Sequence, residues 1–137
     1  MKILLDTCIV IDALQTRKPF NASAEKIFLG IAKKQYEGYI SAKSITDIYY
    51  LTHRCTHSDK DTRKIIADLL SLFGVLDTAG EDVKNAVLSD ISDYDDAVMV
   101  ETAIRNGMDC IVTRNKKDFV KSKTSVYTPD EFLDCLG

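Results

Sequence analysis

Nowhere does this sequence run apolar for the ~20 residues needed to span a bilayer. It has no tryptophan, 2 prolines and 6 glycines, which excludes collagen-like and low-complexity chains. Neither charge sign dominates: 18 Lys and Arg stand against 21 Asp and Glu, a formal net charge of −3. That balance argues against a polybasic nucleic-acid coat, but not against an enzyme that grips phosphate through bound cations. The start has no signal-peptide pattern, because Asp6 interrupts its apolar run and no small-residue cleavage site follows. A cytoplasmic location is expected. The four cysteines (Cys8, Cys55, Cys110, Cys135) form no Cys-x-x-Cys pair and are expected to be reduced and mostly buried. His53 and His57 lie four apart around Cys55, but the cysteine would leave their shared helix face, so polar residues at a helix end are favoured over zinc.

What is present is an ordinary globular composition, 45% hydrophobic and 28% charged, expected to form one domain over residues 1–137. Lys2-Ile3-Leu4-Leu5 is a short apolar run of the kind buried in a parallel sheet. Asp6 or Thr7 then caps a helix through Ile9, Val10 and Ala13. Ala24, Ile27, Phe28 and Ile31 recur at helical spacing, and Gly38-Tyr39-Ile40 is a second strand. Ser41 or Ser44 starts a helix from Ala42 to about Arg54, and His57 to Lys60 reads as a loop. Ile65, Ile66, Leu69, Leu70 and Phe73 mark an amphipathic helix stopped by Gly74, before a third strand at Val75-Leu76. A helix from about Gly80 to Leu88 follows. Ser92-Asp93-Tyr94-Asp95 is a helix-start box, with Ala97, Val100, Ile104 and Met108 on one stripe and Gly107 as the stop. Cys110-Ile111-Val112 and Ser125-Val126-Tyr127 complete the strands, and Pro129 opens a terminal helix. This alternation predicts an α/β fold: a three-layer α/β/α sandwich around a parallel sheet of about five short strands.

In such a sheet, ligands bind beyond the carboxyl ends of the strands. Asp6 directly follows the first strand. Asp47 shares a helix face with Ser44, Asp95 and Asp96 open the helix before the fourth strand, and Thr113, Asn115 and Asp118 follow that strand. Carboxylates crowded at one edge repel one another unless a cation neutralises them, and oxygen donors without His or Cys suit Mg²⁺ or Mn²⁺. Each residue also has a structural reading: Asp6, Asp93 and Asp95 as helix-start residues, Asp47 as a solvated helix residue and Asp118 as a turn cap.

Leu4-Leu5-Asp6-Thr7, Ser44-Ile45-Thr46-Asp47-Ile48-Tyr49-Tyr50, Asp95-Asp96-Ala97 and Ile111 to Phe119 together resemble the PIN-domain family, in order and over nearly the whole chain. The resemblance implies a small Mg²⁺- or Mn²⁺-dependent ribonuclease of the VapC type, often the toxin of a toxin–antitoxin pair. It implies an acidic quartet of Asp6, Asp47, Asp96 and Asp118, with Thr113 and Asn115 as polar support. Two residues depart from the family pattern: Asp47 stands where Glu is usual, and Asn115 where many relatives carry Asp.

The leading expectation is an endoribonuclease acting on single-stranded RNA, with Asp6, Asp96 and Asp118 as metal ligands and Asp47 placing a water or second ion. Arg17, Lys18, Lys43, Arg54, Arg114, Lys116 and Lys117 are candidates for the RNA backbone, and Tyr49 and Tyr50 for base stacking. A catalytically weak or inactive PIN-like RNA-binding or assembly module is the alternative, favoured by Asp47 and Asn115. A haloacid-dehalogenase-like phosphatase would need Asp where Cys8 stands, and a receiver domain rests on the isolated Val75-Leu76-Asp77. An antitoxin partner is implied, and a homodimer is expected through the apolar helix faces of Ile27, Phe28 and Ile31 and of Ile65, Ile66, Leu69 and Leu70.

Overall fold

The structure is a computed structural model that describes residues 1–136. Five parallel strands, β1 (Lys2–Leu5), β2 (Glu37–Ser41), β3 (Gly74–Leu76), β4 (Cys110–Val112) and β5 (Ser125–Tyr127), lie in the order β3-β2-β1-β4-β5. The helices are α1 (Thr7–Leu14), α2 (Asn21–Ala32), α3 (Ala42–Thr56), α4 (Asp59–Leu72), α5 (Gly80–Val87), α6 (Tyr94–Arg105) and α7 (Pro129–Leu136). A 3₁₀ turn spans Lys116–Phe119.

Alternation along the central strand explains the layers. Ile3 and Leu5 of β1 join Cys110 and Val112 of β4 in a core completed by Ile9, Ile27, Ile48, Leu69 and Phe132 from α1, α2, α3, α4 and α7. Leu4 and Ile111 face the other way, onto Ala97, Val100 and Ala103 of α6 and Ala86 of α5. A side chain of this size, fully buried, contributes about 1.5–3 kcal/mol. That demand changes the dimer expectation: Ile27, Ile31 and Leu69 are at most 6% exposed because they fill the chain's own core. Leu70 stays at the surface, while Phe28, Ile65 and Ile66 are half-buried.

Three local features differ from expectation. Helix α4 begins at Asp59, inside the expected loop, because the Ser58 hydroxyl accepts the Asp61 amide at 3.1 Å and Asp59 and Asp61 meet the positive helix end. Gly74 does not stop that helix. It opens β3, where a Cβ would overlap the Tyr39 ring. Of the cysteines, Cys110 is buried and Cys8 half-buried, but Cys55 and Cys135 are exposed near helix ends that leave no core to reach. All four are free thiols. Gly107 does terminate α6, taking φ +67°, a conformation glycine adopts without steric cost. No described helix is long and apolar enough to cross a membrane.

The strand order reverses at β1, whose neighbours are β2 on one side and β4 on the other. The crevice beyond the carboxyl ends of β1 and β4 is therefore where this topology opens a site.

Candidate metal centre

Asp6 emerges from β1 as its backbone N–H continues the ladder to the Val112 carbonyl at 3.0 Å. It stands at the start of α1, but its side chain makes no cap hydrogen bond. Instead its carboxylate accepts the Thr113 hydroxyl at 2.7 Å and the Cys8 thiol at 3.7 Å. The buried Thr113 Oγ1 also accepts the Asn115 amide at 3.1 Å, so one hydroxyl fastens the loop after β4 to the residue after β1. Burial outweighs these hydrogen bonds and raises the Asp6 pKa above its ordinary value. Burial, with Asp6 beside it, pushes the Cys8 thiol up to about 11, so it stays protonated at neutral pH.

Asp96 enters from the first turn of α6. Asp93 is the helix cap and accepts the Asp96 amide at 3.0 Å. Burial first, then the charges of Asp93, Asp6, Asp118 and Asp95, push Asp96 up to about 7. Asp118 comes from the 3₁₀ turn, its amide donating to the Asn115 carbonyl at 2.9 Å. Asp95, the neighbour that competed with Asp96 in the sequence, lines the same crevice but turns to Lys43: it is 69% exposed and pairs with that ammonium at 3.2 Å. Asp47 also meets Lys43, at 2.8 Å, with its side chain 43% exposed. Ser44 is buried at the start of α3, where the Ser41 hydroxyl accepts its amide and donates to its Oγ.

These carboxylates line one open cavity of about 570 Å³, together with Asn115, Ser44, Tyr50, Arg17 and Arg54. Arg114, Lys116 and Lys117 do not line it. Arg114 has other employment: its Nε and Nη2 bind the two oxygens of fully buried Asp12 at 2.6 and 3.2 Å, and its guanidinium lies 4.1 Å from the Phe20 ring centre. This pair holds the loop after β4 to α1. Lys116 is paired with Glu131 at 2.9 Å. Asp12 carried a sequence signal that was missed, a lone charge between the apolar residues Ile9-Val10-Ile11 and Ala13-Leu14. His53 stacks on Tyr49, whose hydroxyl donates to Asp59, and His57 closes α3 in a left-handed conformation.

The donor set fits a hard divalent cation by its chemistry: all-oxygen carboxylates, Asp6 raised in pKa by burial and Asp96 by burial and by the like charges beside it. It is not a closed cage. Among the described residues, no three His, Cys, Asp or Glu side chains are gathered closely enough to hold an ion by themselves. Mg²⁺ suits such an open set, since it keeps several waters and uses one or two carboxylates.

A sequence model of the PIN domain matches residues 2–117. No curated protein matches the chain in sequence. Among solved structures, VapBC2 from Rickettsia felis, bound to a DNA fragment from its promoter, superposes with a TM-score of 0.68 at 17% identity, covering 93% of this chain and 97% of that one. A toxin–antitoxin complex from Klebsiella pneumoniae gives 0.67 at 23% identity, with coverage of 93% and 97%. VapC20 of Mycobacterium tuberculosis, a sarcin–ricin loop cleaving toxin, gives 0.61 at 14% identity, covering 80% and 86%. At these identities the likeness is one of fold.

Proposed function

This chain belongs to the PIN-domain family, and on that premise we propose that it is a divalent-metal-dependent endoribonuclease of single-stranded RNA, the toxin of a toxin–antitoxin pair. The observation that carries the reading is the convergence of Asp6, Asp96 and Asp118 on the crevice where the sheet order reverses, with Asp96 raised to about 7 by burial and by the carboxylates around it. Asp6, Asp96 and Asp118 would hold Mg²⁺ or Mn²⁺. Bound there, the ion would supply an activated water and neutralise charge on the scissile phosphate. Thr113 keeps the Asp6 carboxylate oriented through its 2.7 Å hydrogen bond. Asn115 and Ser44 offer neutral polar groups to substrate along the cavity wall. Arg54 and Arg17 line the same cavity without a carboxylate partner among the described residues, leaving their charge for the RNA backbone. Tyr50, 67% exposed on the α3 wall, presents a face on which a base can stack.

The partner this reading implies is an antitoxin protein, with both acting in the cytoplasm. A homodimer is part of the proposal. The surface that supports it is the α3–α4 groove, lined by Ile45, Tyr49, Ile66 and Leu70, rather than the buried faces of α2 and α4.

Calorimetry with Mn²⁺ tests the centre. Binding to the wild type is expected to be lost, or weakened at least tenfold, in Asp6→Asn, which keeps the side-chain shape and removes the charge. Asp95→Asn is expected to change affinity far less, since that carboxylate faces Lys43 and water. A larger loss in Asp95→Asn than in Asp6→Asn would move the centre to the wrong face of α6.

A further inference from the structure

Lys43 is the cation of the cavity that the ribonuclease reading leaves without a task. Its ammonium lies 2.8 Å from Asp47 Oδ2, one turn along α3, and 3.2 Å from Asp95 Oδ1 on the facing helix α6. Among the described residues it is the one cation in ion-pair contact with carboxylates lining the cavity. The fold has little need of it. Lys43 is 46% exposed, and ion pairs as open as these add little to stability. Its field nevertheless reaches Asp6, whose pKa it lowers against the effect of burial.

A positive charge touching one carboxylate oxygen from each wall of a cleft stands where a bridging cation would stand. Two-ion phosphodiester sites place their ions about 3.5–4 Å apart, each held by carboxylates of this kind. We propose that the Lys43 ammonium is a built-in cation occupying the place of a second divalent ion between Asp47 and Asp95, so that the cavity takes one ion, at Asp6, Asp96 and Asp118. The inference rests on the metal-dependent reading above. Lys43 is tethered and needs no free concentration to fill its place, and a divalent ion entering there would have to drive an ammonium out against mutual repulsion. The departure at position 47 becomes intelligible: the aspartate side chain ends at Lys43, where a longer glutamate would reach further across the cleft. Asp47 is then a positioning residue for Lys43 rather than a ligand.

The test is ion stoichiometry, read by calorimetry and by Mn²⁺ paramagnetic resonance on the intact protein at about pH 8. Wild type and Lys43→Arg are expected to bind one Mn²⁺ per chain. Lys43→Met, similar in length but uncharged, is expected to bind two, with the spin coupling of neighbouring ions. Lys43→Met combined with Asp47→Asn should return to one. Lys43→Gln provides a second uncharged variant should the methionine protein fail to fold. A wild type that already binds two ions, or an uncharged variant that still binds one, overturns the inference and leaves the metal-dependent reading standing. No ion on any of the proteins overturns both.

Discussion

Asp12→Ala is expected to destabilise the protein by about 3–5 kcal/mol, the usual cost of stranding one member of a buried ion pair. Asp12 is fully buried on α1, and the Arg114 side chain it holds is three-quarters buried, its guanidinium packed against the Phe20 ring. Removing the carboxylate leaves a cation with no partner in a place where water reaches it poorly. Replacing both partners by apolar residues, as in Asp12→Leu with Arg114→Met, should recover most of the loss, because desolvation of the two charges is then avoided. The midpoint and slope of urea unfolding decide the matter. A loss below about 1 kcal/mol in Asp12→Ala would mean that the pair is solvated like a surface bridge. The effect reaches the cavity as well, since Arg114 stands between Thr113, which orients Asp6, and Asn115.

The second large effect concerns pH. Asp96 is raised from the ordinary 3.8 to about 7, so between those values the ion-free folded protein holds a proton that the unfolded chain has released. By linkage, stability is greatest below the lower value and falls as pH rises through the window. Asp6, raised in the same direction by burial, adds to the slope. Asp82, held below its ordinary value by Arg105 against the opposing cost of burial, acts in the opposite sense, but only at pH below about 4. Ion-free wild type should therefore be more stable at about pH 5 than at about pH 8, and Asp96→Asn should have a flatter profile. Divalent-ion affinity should run the other way, strengthening as pH rises through about 7, because proton and cation compete for one carboxylate. Parallel stability profiles for wild type and Asp96→Asn would place the proton elsewhere.

The sheet was legible because its signal is local. Five short apolar runs separated by helical spacing predicted strands that the structure places within a residue or so of those positions. The line of acids after β1, before β4 and after β4 was legible for the same reason: topology alone brings strand ends to one edge. What a carboxylate touches there was not. Asp95 and Asp96 are adjacent in sequence, and only the pitch of α6 sends one toward Asp6 and the other to Lys43. Lys43 and Arg114 both read as loose cations, and each is bound to a carboxylate contributed by another element. The faces of α2 and α4 looked wide enough for a partner because their periodicity does not reveal how much of a small domain's own core they must fill. Cys55 and Cys135 show the converse, since residue type predicted burial where the local helix end offers none.

The measurement that bears most directly on the proposed chemistry is Mn²⁺-dependent cleavage of a mixed pool of single-stranded RNA, with Asp6→Asn as the control. Wild type should cleave when Mn²⁺ is present and stop when it is chelated, and Asp6→Asn should fall at least about a hundredfold, the loss typical of removing one essential charge from a site that acts by electrostatics. Asp47→Glu should match or exceed wild type, and Asp47→Asn should be slower, having left Lys43 with only Asp95. Equal rates for the wild type and both position-47 variants would return Asp47 to the helix surface. No cleavage by wild type or by Asp47→Glu, with both proteins folded, would contradict the ribonuclease reading and leave a PIN domain that binds RNA without cutting it.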